Sequence, residues 1–118
     1  MDKNGVVHET MRTFDTGATR NNDPTRIDFI KMLSIPALFS YADYMRAHRE
    51  QADGNLREFD NWKGGFPPEE ILESLLRHVL DLVALHHGIE PMRECEIEET
   101  CCAIKFNIDA YLHQFLCK

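Results

Sequence analysis

"NWKGGFPPEEILESLLRHVLD", residues 61–81, holds the reading of the fold. Its second residue is the chain's only tryptophan, after which it passes two glycines and two prolines and turns helical. Proline suits the first turn of a helix and glycine the residue after its end, so the spacing predicts a helix from near Pro68 to a stop at Gly88. At about 100° per residue, Ile71, Leu72, Leu75, Leu76, Val79, Leu80, Leu82 and Val83 cover about half its circumference. One neighbouring helix does not need so wide an arc. The pattern predicts a helix central in a bundle or at a subunit contact. The opposite strip carries Glu70, Glu73, Ser74, Arg77, Asp81 and Ala84, with His78 at the border of the arc. As a solvated face, that strip makes i,i+4 pairs, Glu73 with Arg77 and Arg77 with Asp81. As the wall of a site, its small Ser74 and Ala84 let a charged ligand approach, and His78 needs a partner against apolar surface. Spacing alone favours the solvated face.

Upstream, residues 1–25 show no period and read as an extended N-terminal arm. From Arg26 to residue 118 the chain reads as a single helical domain. A short helix meets a break at Ser34-Ile35-Pro36, and a second helix follows from about 36 to 52. Downstream, "IEPMRE" leads into a fourth helix over roughly 95–117. Its residues Ile97, Ile104, Ile108, Tyr111 and Phe115 line one apolar face, and Ala103, Phe106 and Ala110 a second. A polar seam of Glu98, Cys102, Lys105 and Asp109 runs between them, with Asn107 on the far side. Glu98, as a carboxylate buried between apolar faces, would need a cation or donors. No β-alternation appears. The fold class expected is all-α: a small bundle of three long helices plus a short one, packed as a dimer or larger oligomer.

At 118 residues the chain has room for one core. A formal charge of −7 without a basic patch excludes a protein that coats nucleic acid. No apolar run approaches the length of a membrane span, and the polar N-terminus is not a signal peptide, which places the chain in the cytoplasm. Cys95, Cys101, Cys102 and Cys117 match no zinc spacing and read as reduced, buried thiols. If the third and fourth helices are antiparallel neighbours, Asp81 and Glu98 approach their shared end. Carboxylates there, completed by phosphate and water, suit Mg²⁺ or Mn²⁺.

Four separated motifs, "FDTGATR" (14–20), "NW" with glycines (61–65), "SLLRH" (74–78) and "CAIKFN" (102–107), occur in an order that resembles a phage and bacterial domain. That domain is named dATP/dGTP diphosphohydrolase and is placed near the MazG-like all-α nucleoside triphosphate pyrophosphohydrolases. Gly17, Arg20, Asn61, Trp62, Ser74, Arg77, His78 and Asn107 fall on its motif positions. The resemblance implies metal-dependent hydrolysis of a purine (deoxy)nucleoside triphosphate to monophosphate and pyrophosphate. It implies catalytic roles for His78, Asp81 and Glu98, with Glu73, Asp81 and Glu98 holding Mg²⁺ or Mn²⁺ and His78 serving as general base, as donor to phosphate or as a structural partner of Asp81. Arg20, Trp62, Lys63, Ser74, Arg77 and Asn107 then contact substrate, the arginines taking phosphate and Trp62 stacking on the base or anchoring its loop. Of the E-x-x-E and E-x-x-D helices that hold metal in the MazG-like enzymes, Glu70 to Glu73 fits the first. In the second, Cys101 stands where an aspartate is expected. The alternatives are a nucleotide-sequestering protein without catalysis and a helical interaction module.

Overall fold

The computed structural model describes residues 10–118, so the first nine residues of the expected arm lie outside the described residues. The chain divides into two units, one ending at Ser34 and the other spanning Ile35–Lys118. The second unit starts at Ile35.

The first unit contains an antiparallel hairpin of β1 (Thr10–Thr13) and β2 (Thr19–Asn22), in a register that sets Arg12 opposite Arg20. Gly17 makes the turn possible with φ of 87°, and Phe14 N–H closes it by donating to the Ala18 carbonyl at 2.8 Å. Strands of four residues are too short to show the period of two. A one-turn helix, α1 (Phe29–Met32), follows with Asp28 as its N-cap, accepting from Lys31 N–H at 3.1 Å.

The second unit is all-α. It contains α2 (Ile35–Ala47), a 3-10 turn (Asn61–Gly64), α3 (Pro68–His86) and α4 (Ile97–Leu116). Both α3 limits follow the sequence signals. Pro68 occupies the first turn, and beyond His86 the chain turns through Gly88 at φ 69°. Ile89 N–H donates to the Ala84 carbonyl and Gly88 N–H to that of Leu85, the paired bonds of a Schellman cap. The second helix stops short of the expected 52. His48 Nδ1 bonds to the Tyr44 carbonyl at 2.8 Å, and Glu50 forms a bridge with Leu56.

Packing separates α3 into three faces rather than two. Ile71 and Asp81 are buried, and Ser74, Leu75, His78, Leu82 and Leu85, all on the same side, are half-buried. Glu73 and Arg77 pair with each other in solvent. The third face is apolar and exposed: Leu72, Leu76, Val79, Leu80 and Val83 lie there, Leu76 at 59%. The face packed inward is thus the mixed border, not the centre of the apolar arc.

The inner positions of α4 are Thr100, Ala103, Asn107 and Ala110, spaced three and four apart and all buried. Small side chains there let α3 come close. Asn107 is consequently buried in the helix-packing layer, not on the far side, and its Nδ2 donates to the Ala103 carbonyl at 2.8 Å. It is α4, not α3, that is central: it touches α2, α3 and the 3-10 turn. The polar seam proves to be where α2 docks. Ser40 Oγ donates to Glu98 Oε1 at 2.7 Å and lies 3.6 Å from Cys102 Sγ, and Lys105 Nζ sits 4.9 Å from the centre of the Tyr41 ring. Glu98 is exposed, so the buried carboxylate between helices is Asp81. Of the four thiols only Cys102 is buried, Cys101 and Cys117 are exposed, and all four are free. Among the described residues no helix is long and apolar enough to cross a membrane.

Candidate functional site

The connector between α3 and α4 brings Arg93 back over the C-terminal half of α3. Its Nη2 donates to Asp81 Oδ2 at 3.2 Å and lies 3.0 Å from His78 Nδ1. A guanidinium only donates, so Nδ1 of His78 is the acceptor and the ring proton sits on Nε2. Burial lowers the His78 pKa below its ordinary 6.5, and the Arg93 charge adds to the effect while Asp81 opposes it. The ring is therefore neutral at pH 7. Its basic nitrogen is engaged, and Nε2–H is the donor it offers to a ligand. That answers the histidine's discomfort at the edge of the arc with one partner, Arg93, which Asp81 holds in turn.

Arg93 and His78 line a polar cavity of about 280 Å³, together with Cys95, Thr100 and the exposed Glu94 and Glu99. A larger cavity of about 380 Å³ has aromatic walls: Tyr44, Phe59, Trp62, Phe66 and Phe106. Tyr44 and His48 line both. Their rings stack with centroids 4.0 Å apart. Burial raises the Tyr44 pKa and nearby Glu99 adds to the rise, so its hydroxyl stays protonated at neutral pH. The Tyr44 carbonyl can only accept, so His48 Nδ1 donates to it. In the neutral ring the basic nitrogen of His48 is then Nε2.

The aromatic cavity owes its shape to the loop before α3. Trp62 sits edge-on to Phe106 (6.4 Å) and to His113 (5.1 Å), and Phe66 edge-on to Phe106 (6.1 Å). Gln114 fixes the loop by its backbone, accepting from Phe66 N–H at 2.6 Å and donating to the Phe66 carbonyl at 2.9 Å. Compared with protein-family models, curated proteins and solved structures, the chain matches none.

The residues singled out from sequence fall into separate groups. His78 and Asp81 share one network. Trp62 belongs to the aromatic cavity, and Lys63 beside it is exposed, with Nζ 5.8 Å from the tryptophan ring centre. Ser74 shares the inner face of α3, while Arg77 and Glu73 form an exposed pair at 2.8 Å. Asn107 bonds to its own helix. Arg20 is on β2 in the first unit. Glu73, Asp81 and Glu98 each have a different partner, Arg77, Arg93 and Ser40. Among the described residues no three His, Cys, Asp or Glu side chains form a group able to hold a metal ion. These donors therefore do not fit an Mg²⁺ or Mn²⁺ cradle within one chain.

Sequence reasoning passed over Arg93, Tyr44, His48, Arg49 and Arg57. The one available signal was Arg93 as the single cation in the "IEPMREC" connector, facing an excess of carboxylates.

Proposed function

We propose that the protein binds a purine (deoxy)nucleoside triphosphate in the unit 35–118 and hydrolyses it to monophosphate and pyrophosphate. The observation that carries this reading is the buried Asp81 holding Arg93 beside His78 at a polar cavity. Arginine is the side chain best suited to phosphate oxygens, and a buried carboxylate that orients one at a cavity lends it preorganisation. Of the motif positions, His78 lines the polar cavity and Ser74 lies on the same inner face of α3, which supports the same reading.

On this reading Arg93 and the Nε2–H of His78 donate to phosphate oxygens. Water attacks the α-phosphorus, the bond from that phosphorus to the bridging oxygen breaks, and pyrophosphate leaves. On this reading His48, which lines both cavities, takes the proton of the water at Nε2. Glu94 and Glu99 make the rim acidic, so the substrate species that suits the cavity is the divalent-cation complex of the nucleotide, not the bare polyanion. A second copy of the chain covers the exposed face of α3. Burying the exposed half of each of its five large side chains contributes about 1 kcal/mol apiece.

Binding without turnover is the second reading, favoured by the dispersal of Glu73, Asp81 and Glu98 among separate partners. A panel of ribo- and deoxyribonucleoside triphosphates with Mg²⁺, Mn²⁺ or a chelator, followed by product separation and calorimetry, tests both. Monophosphate and pyrophosphate are expected, with loss of binding in Arg93→Met. Diphosphate and phosphate as products refute the reaction. Tight binding without products establishes the second reading, and no binding refutes both.

A further inference from the structure

The apolar face of α3 continues on α4. There Ile97, Ile108, Tyr111, Leu112 and Phe115 are exposed, and the exposed Cys101 stands among them at helical spacing. The buried Thr100, Ala103, Asn107 and Ala110 of α4 pack toward α3, while Glu98 and Lys105 meet Ser40 and Tyr41 of α2. The apolar flank of α4 is turned away from both.

α3 and α4 run antiparallel. Phe66, just before α3, bonds to Gln114 near the end of α4, and His78 shares a cavity with Thr100 and Ala103. At about 100° per residue, the apolar face lies roughly 140° from the buried side on α3 and roughly 110° on α4, both in the sense of increasing residue number. In an antiparallel pair, equal senses lead to the same side. The two faces therefore form one surface. Ten of its large apolar side chains are 36–61% exposed. What they leave open amounts to roughly 900 Å², above the patch of about 300–600 Å² usual on a monomer and close to one partner's share of a stable interface.

The two ends of the α3 stripe carry complementary chemistry. Glu69 stands three residues before Leu72 and His86 three residues after Val83, so each extends the stripe on its own face. Laid antiparallel on a copy of itself, the stripe sets Leu76 against Leu80, Leu72 against Val83 and Glu69 against His86. Parallel pairing sets carboxylate against carboxylate instead, which is repulsive. A two-fold axis for the antiparallel pairing passes between Leu76 and Leu80, beside His78. On α4 the same level is Thr100 to Ala103, where Cys101 is the exposed residue.

We infer that a second copy docks on this surface about a two-fold axis, with α3 against α3 and α4 against α4, both antiparallel. Glu69 of each copy meets the partner's His86, and Cys101 comes next to the partner's Cys101. This arrangement rests on the reading that a second copy covers α3, and it does not depend on the nucleotide chemistry.

The full chain is weighed by light scattering and then treated with a short bismaleimide, which joins only thiols that lie close together. A dimer is expected, with a covalent dimer after treatment that persists in Cys117→Ser and is lost in Cys101→Ser. Glu69→Lys and His86→Glu, both at exposed positions, each weaken dimerisation severalfold, and the two together restore it. Cross-linking needs no charge variant, so it decides the matter where circular dichroism shows that one of these has lost helix. A chain that stays monomeric at high concentration overturns the second copy and its orientation together. A dimer that links through Cys117 rather than Cys101, or a charge exchange no better than its single variants, overturns the orientation and leaves the second copy on α3 standing. Calorimetry with deoxynucleoside triphosphates on the same samples decides the nucleotide reading separately: a monomer that binds them keeps that reading and overturns the interface, and a Cys101-linked dimer that binds none does the reverse.

Discussion

Replacing Arg93 with methionine removes the cation from Asp81 while keeping most of the apolar stem. The Asp81 side chain is 4% exposed and that of Arg93 49% exposed. Breaking a fully buried ion pair from one side costs about 3–5 kcal/mol. Here the pair is half open to water, and its single bond of 3.2 Å is longer than a strong charge-assisted one. We therefore expect a loss of about 2 kcal/mol, close to a 30-fold fall in the folding constant. Urea unfolding of Arg93→Met, Asp81→Asn and the double variant forms the cycle. If the carboxylate left without its cation is what hurts, the double variant is more stable than the sum of the singles implies, by at least about 1 kcal/mol. An Arg93→Met loss under about 0.5 kcal/mol, or strict additivity, refutes the argument that Asp81 depends on Arg93.

Two further outcomes follow from the same geometry. The folded pKa of His78 lies below the 6.5 of an unperturbed ring, so the neutral form is the one folding favours. Its contribution to stability is present above 6.5 and is lost as pH falls through the folded value. An NMR titration of the His78 ring should show a midpoint under 6.5 that rises in Arg93→Met; no rise would mean that the arginine charge does not reach the ring. On the outer face of α3, Leu76→Lys combined with Leu80→Lys should convert an oligomer to monomer by light scattering, with little loss of monomer stability because both side chains are exposed. A wild-type monomer at high concentration would refute the second-copy reading.

Signals local to the chain were readable: Pro68 at the start of α3, Gly88 at its stop and the helical character of both long segments all have counterparts in the structure. The packing face was not. An arc covering half of α3 is compatible with several directions of approach, and the decision lay in the small residues of α4, which admit α3 on the side of Ser74, His78 and Asp81. Asn107, expected on the far side, stands four residues after Ala103 and three before Ala110, so it shares their buried face. The polar seam was visible as a pattern, but its occupant, Ser40 of α2, lies 58 residues from Glu98 and shares no period with it. Arg93 sits in a connector without periodicity, so its pairing with Asp81 depends on a return of the chain that no window of sequence displays. The hairpin register, with Arg12 opposite Arg20, likewise depends on a turn built around one glycine.

The two bonds between Gln114 and the Phe66 backbone make one amide proton a gauge for the end of the chain. Phe66 N–H belongs to a loop, where exchange with deuterated solvent is ordinarily fast, yet its acceptor is a side chain in the last turns of α4. Its exchange rate should therefore follow fraying of that helix end rather than motion of the loop. Gln114→Ala should speed exchange at Phe66 while leaving Ala84 to Gly88, at the opposite end of α3, as slow as before.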